Sequence, residues 1–162
     1  MVQIVTLGHE ALRRVAEPVK DIDDSIKALV ADMFEAMRVG NGVGLAAPQV
    51  AKGLRLFITG APDDEARVFI NPEITGTSIE ECGYEEGCLS IPGVYEDVRR
   101  PKALSIQAYN LRGRPFSMEA EGFLARIILH EMDHLNGVLF IDKLSEMKRE
   151  RVLAQYEKRM RA

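Results

Sequence analysis

The sequence predicts an α+β domain built mostly from antiparallel sheets. An apolar stripe at helical spacing occupies residues 24–39, and a second helical run occupies 121–136. Between them lie several short strand-like segments separated by turn residues, with no alternation of strand and helix. Strands gathered between an early and a late helix point away from a parallel, alternating sheet.

Length and composition set the frame. At 162 residues, 46% apolar and 28% charged, the chain is long enough to bury a core and is most simply one domain, 1–162. No apolar run reaches the length of a membrane span, and Met1-Val2-Gln3-Ile4-Val5-Thr6 lacks a basic region followed by a signal-like core. A cytoplasmic home is the expectation. A net charge of −4 argues against bulk attraction to nucleic acid. Two cysteines, Cys82 and Cys88, are more in keeping with thiols or ligands than with a structural disulfide.

Residues 1–20 read as irregular, with Leu12, Val15 and Val19 as core contacts and His9 as a surface or turn residue. From Asp24 to Val39, residues Ile26, Leu29, Val30, Met33, Phe34 and Met37 form the helical stripe. Asp23 or Asp24 is the cap, and Gly40-Asn41-Gly42 ends the helix. Gly42-Val43-Gly44-Leu45-Ala46-Ala47-Pro48-Gln49 follows a helix rather than a strand and lacks a Gly-Lys-Ser/Thr, so it is not a phosphate loop. It reads as a tight stretch of small residues where backbone approaches something closely. Residues 54–59 and 67–70 form a hairpin across the polar loop 60–65, with further strands at about 73–80, 94–99, 103–110 and 114–119 and turns at Gly93, Asn110 and Gly113.

The late helix carries the chemistry. Its apolar run Phe123 to Leu129 marks it as buried, and it stops at Asn136-Gly137. His130-Glu131-Met132-Asp133-His134 reads H-E-x-x-H. Histidines four apart share one helix face and can converge on one cation, with Glu131 placed beside it without having to bind. A third ligand is wanting. Cys88, in Glu86-Gly87-Cys88-Leu89-Ser90, is the better of the two thiols because Gly87 leaves the neighbouring backbone approachable; Cys82 reads as structural. The last helix, from Ser145, places seven Lys or Arg against three Glu from Lys143 onward, with Met147, Leu153 and Tyr156 as apolar contacts.

Three segments in register, Gly42 to Gln49, Glu86 to Ser90 and His130 to Leu135, resemble the peptide deformylases, bacterial enzymes that remove the formyl group from the initiator methionine of new proteins. The similarity runs from the Leu7-Gly8 region to about Leu144. The resemblance implies antiparallel sheets around a central helix bearing the histidines, and Fe²⁺ as the usual ion, with Zn²⁺, Ni²⁺ or Co²⁺ as substitutes. It implies Cys88, His130 and His134 as metal ligands and Glu131 as the catalytic carboxylate. Gln49 and the backbone N–H of Leu89 would face the formyl oxygen. Val43, Gly44 and Gly87 would pair with the substrate backbone, Ile127 would wall the methionine pocket, and Glu86 would orient its loop. The partners implied are N-formylmethionyl nascent peptides and, through the basic last helix, the ribosome; the expected state is a monomer. Two positions depart from familiar members: Leu129, where some have glutamine, and Gly93-Val94-Tyr95-Glu96, where some have arginine. The rival readings are a zinc endopeptidase taking Glu150 or Glu157 as third ligand, and a non-catalytic metal- or peptide-binding module.

Overall fold

The computed structural model describes residues 2–161. Its order is α1 (Asp24–Val39), β1 (Gly44–Ala46), β2 (Leu56–Thr59), β3 (Arg67–Thr77), β4 (Glu81–Cys88), β5 (Ile91–Pro101), β6 (Ala103–Tyr109), β7 (Pro115–Glu121), α2 (Gly122–Leu135) and α3 (Glu146–Arg161). The strands form one five-stranded sheet, β1-β2-β3-β6-β7, and a separate hairpin, β4-β5, with every pairing antiparallel. The α+β expectation holds. Among the described residues no helix is long and apolar enough to cross a membrane.

Alternation along β2 divides the core. Leu56 and Ile58 face α1, where Ile26, Leu29, Val30, Met33 and Met37 pack beside Leu45 and Ile70. Phe57 faces the other way and stacks on Phe69, against Leu104, Ile106 and the α2 residues Ala125, Ile128 and Leu135. The opposite side of α2 meets the β4-β5 hairpin, which with α3 forms a third cluster around Ile91, Val94, Val98, Phe140, Val152 and Tyr156. Helix α2 is thus held between the large sheet and the hairpin, with HExxH near its end.

Capping follows the sequence closely. Asp23 accepts from the N–H groups of Ser25 and Ile26, and α2 gives way at Asn136 to Gly137, whose φ of 73° suits glycine. His9 is exposed and accepts from the Ala11 N–H, a turn residue as expected.

Several expectations need correction. Val15 is exposed, and Met147 is 77% exposed; the apolar residue α3 buries is Val152, one turn before Tyr156. Residues 67–70 and 73–80 are not two strands but one, β3, continuous through Asn71-Pro72. The register against β6 shifts between Ile70 and Glu73, so Pro72 falls where the ladder is already irregular. Asn71, at φ 50°, accepts from the Val19 N–H and donates to the Val19 carbonyl, fastening the N-terminal segment to the sheet. Strand β5 runs through Gly93 instead of turning there, and strands β1 and β4 were not anticipated.

Candidate metal centre

The donors of the centre come from two constraints, the turn of one helix and the end of one strand. His130 and His134 stand one turn apart on α2, and their Nε2 atoms lie 3.3 Å from each other. Cys88 ends β4 where the hairpin register breaks between Glu86 and Cys88, and its Sγ lies 3.4 Å from His134 Nε2. The three donor atoms all fall within 4.8 Å of one another. Three tetrahedral ligands at about 2.0–2.3 Å from a shared ion sit about 3.3–3.7 Å apart, so these residues fit a first-row divalent metal. The donor set argues the same way. His130 Nδ1 is 2.9 Å from Glu86 Oε1, and a carboxylate only accepts, so Nδ1 carries a proton and Nε2 is the ring atom left facing the other two donors. Two imidazole nitrogens and a sulfur brought this close form a donor set that one cation can bridge.

Glu131 is 4% exposed, and its Oε1 has no hydrogen-bond partner within the chain. Burial pushes its carboxyl up to about 7, the nearby His130 charge opposing and the Glu86 charge adding to the rise. Burial also acts on Glu86, but hydrogen bonds from His130 and Arg100, with the Arg100 charge, overcome it and bring that carboxyl down to about 2. His130 is held well above the ordinary histidine range: hydrogen bonds with Cys88 and Glu86 outweigh its burial. Burial and the His130 charge push His134 well below that range.

Gln49 lies in a buried turn, 47–50, with Pro48 leading it. Its Oε1 accepts from the Ala46 N–H at 2.9 Å, which aims Nε2 at Ser90 Oγ, 3.1 Å, and Cys88 Sγ, 3.5 Å. A cleft of about 500 Å³ opens over the centre, lined on one side by Val43, Gly44, Gln49 and Ile127 and on the other by Gly87, Cys88, Leu89 and Tyr95. The Leu89 side chain packs on Gly40 and Gly42, and a Cβ on Gly44 would meet Glu131 Oε2 at 2.7 Å. Val43 gives its carbonyl to the Gly60 N–H at 2.8 Å, so that group is already engaged within the chain.

All ten residues expected at the site therefore line one cleft or the centre beneath it. The model of the family described as polypeptide deformylase matches residues 1–150. The chain belongs to this family. Among its relatives, the peptide deformylase of Treponema pallidum (strain Nichols) is 46% identical over 150 residues, covering 93% of this chain and 92% of the relative. The crystal structure of a peptide deformylase from Legionella pneumophila superposes with a TM-score of 0.94 at 41% identity, covering 99% of this chain and 96% of that one. That of the Ehrlichia chaffeensis peptide deformylase in complex with actinonin superposes at 0.95 and 36% identity, covering 99% and 98%.

The sequence underrated Glu86. It is 6% exposed and receives both Arg100 Nε (2.6 Å) and Nη2 (3.0 Å), Arg126 Nη1 (2.6 Å) and His130 Nδ1 (2.9 Å). Arg100 reaches Asp133 as well, at 2.8 Å. The spacing of Arg126, four before His130, was the available signal, because residues four apart on a helix share a face. The endopeptidase reading fails on position: Glu150 and Glu157 are exposed on α3, while the ligand cluster found among the described residues is Cys88, His130 and His134.

Proposed function

We propose that this protein is a metal-dependent hydrolase that removes the N-formyl group from the initiator methionine of newly made polypeptides, releasing formate. The observation that carries the reading is the convergence of Cys88 Sγ, His130 Nε2 and His134 Nε2 beside an unpartnered buried Glu131 oxygen, at the base of an open cleft. Cys88, His130 and His134 would hold one divalent ion, which supplies Lewis acidity and lowers the pKa of water towards neutrality.

The chain's own residues supply the rest. An extended peptide fits between Val43 and Gly44, at the start of β1, and the Gly87-Cys88-Leu89 segment. Ile127, packed under Gly44, walls the space for the methionine side chain. Gln49 Nε2, its amide locked by Ala46, and the Leu89 N–H donate to the oxyanion that develops on the formyl oxygen; losing one such donor costs about 10²–10³ in rate. Glu131 takes a proton from the attacking water and delivers it to the departing amine, a task suited to a carboxyl whose pKa burial has raised. Glu86 keeps the His130 ring oriented with Nε2 towards the ligand cluster. Formate release from a formyl-Met-Ala peptide, set against an internally cleavable peptide, tests the reading: formate with no internal cleavage supports it, and cleavage without formate rejects it.

Fe²⁺ is the ion proposed, as the resemblance to the deformylases implies; a thiolate with two imidazoles suits it and equally Zn²⁺, Ni²⁺ or Co²⁺. Iron beside a thiolate is open to oxidation, so the iron form should lose activity in air faster than the Ni²⁺ form. Equal lifetimes would count against iron. Residues 1–162 are taken as one catalytic domain acting as a monomer in the cytoplasm. The basic side of α3 is proposed to dock on the ribosome, a polyanion where nascent chains emerge. Arg151 and Lys148 turn towards Glu96 of β5, at 2.7 and 3.9 Å, so the exposed Lys158 and Arg161 are the residues to reverse. Lys158→Glu with Arg161→Glu should weaken salt-dependent ribosome association and spare small-peptide turnover. Unchanged association would remove the ribosome from the account.

A further inference from the structure

Helix α2 buries an arginine that the reaction does not use. Arg126 is 6% exposed, and a buried guanidinium is costly unless its donors are satisfied. Its Nη1 donates to Glu86 Oε2 at 2.6 Å and to the Val98 carbonyl at 2.8 Å. Its Nη2 donates to the Cys82 carbonyl at 2.8 Å, and the Tyr84 ring lies 5.6 Å from Cζ. One side chain thus joins α2 to three points on the hairpin: two on β4, at Cys82 and Glu86, and one on β5, at Val98.

Neutralising Glu86 does not require it, because Arg100 already engages both Glu86 oxygens. What Arg126 adds is a brace at the early part of α2. The Arg100–Asp133 pair ties the hairpin to the later part of α2, and Arg126 ties it seven residues earlier, roughly 10 Å along the axis at 1.5 Å per residue. The Glu86–His130 hydrogen bond and the Arg100–Asp133 pair meet α2 within three residues of each other and so leave a pivot, which a tie at Arg126 removes. The element they hold is the one whose last residue is Cys88, and α2 is the one that carries both histidines.

We infer that Arg126 is a positioning residue for the metal centre, bracing β4 against α2 so that the Cys88 sulfur is held at ligand distance from His130 and His134. The inference rests on the Cys88–His130–His134 centre proposed above. Lysine keeps the charge but cannot span a carboxylate and two carbonyls as a planar guanidinium does.

The test uses Co²⁺ titrated anaerobically into the full-length protein. Chelator competition gives the affinity, and the near-ultraviolet thiolate-to-Co²⁺ charge-transfer band reports the sulfur. Arg126→Lys and Arg126→Met should both remain folded by circular dichroism. Each should bind Co²⁺ about 10- to 100-fold more weakly, with a weakened or shifted thiolate band. Leu104→Ala, a core truncation in the large sheet, should lower the melting temperature and leave both readouts unchanged. If Arg126→Met does not fold, Arg126→Lys decides. Wild-type affinity and band in the lysine variant would overturn the inference, as would an equal loss in Leu104→Ala. Absence of a thiolate band in the wild-type protein would instead overturn the centre itself.

Discussion

Gly44→Ala adds one methyl group at the most crowded point of the cleft. Position 44 does not need a left-handed backbone, so alanine is conformationally allowed there, and the consequences are steric. The new Cβ would stand 2.7 Å from Glu131 Oε2, 2.8 Å from Ile127 Cγ2 and 3.1 Å from Glu131 Cδ, where ordinary contact begins at 3.4 Å. Strand β1 is pinned by its pairing with β2, Gly44 opposite Thr59, and α2 is buried from both sides. Ile127 Cγ2 must give way, and the more flexible Glu131 side chain must move further, its oxygen retreating from 2.7 to at least 3.4 Å, roughly 0.7 Å. Misplacement near 1 Å costs about 10²-fold in rate when it affects reacting groups. The overpacking itself costs about 1–3 kcal/mol. Formate release from a formyl-Met-Ala peptide should therefore fall about 100-fold in kcat/KM, while metal content stays at the wild-type level, because the atoms nearest the new methyl belong to Glu131 and Ile127 and not to a ligand. Activity within threefold of wild type would refute the placement of Glu131 as the proton carrier. Loss of the metal together with the activity would refute the claim that this contact acts through Glu131 and Ile127 and spares the ligands.

Glu131→Gln should keep the ion and lose about 10²–10⁴ in turnover, measured with metal content on the same sample. Burial pushes Glu131 up to about 7, and the charge of a divalent ion held beside it would draw it down. The base must be ionised, so kcat/KM should fall on the acid side with an apparent pKa below 7; a profile flat to pH 4 would contradict this. Glu86 is lowered from 4.5 to about 2 in the fold, so its stabilising effect is complete above pH 4.5 and fades as pH falls towards 2. The amount is on the order of 3 kcal/mol. Acid unfolding of the wild-type chain should be steep between pH 4.5 and 2, and Glu86→Gln should be less stable at pH 7 with a shallower acid limb. Tyr156→Ala should destabilise the chain by about 3–5 kcal/mol in urea unfolding, since Tyr156 is part of the core against β5 and not a surface residue of a detachable helix.

What could be read from the residues was local. His130 and His134 are four apart on a run apolar enough to be helical, so helix geometry brings them together with no knowledge of the fold. The cap at Asp23, the stop at Gly137 and the turn at Asn110 and Gly113 follow from the same local rules. Strand β4 was missed because Glu81 to Cys88 holds two glycines and three carboxylates and little that favours a strand; it forms because β5 offers a partner along its length. Val15 and Met147 show the reverse error, apolar residues with nothing to pack against. The ion-pair network is the deepest omission. Glu86, Arg100, Arg126 and Asp133 are scattered over 48 residues, and only the docking of the hairpin on α2 brings them together. Cys88 was legible through its glycine neighbour and the need for a third ligand, but its distance from the histidines is a property of that docking.

The central claim is tested most directly by X-ray absorption at the edge of the metal bound to anaerobically purified protein, with its stoichiometry. The account predicts one ion per chain with one sulfur scatterer at about 2.3 Å and the remaining ligands nitrogen or oxygen. An ion with no sulfur neighbour, or a chain that binds no metal in stoichiometric amount, would contradict it.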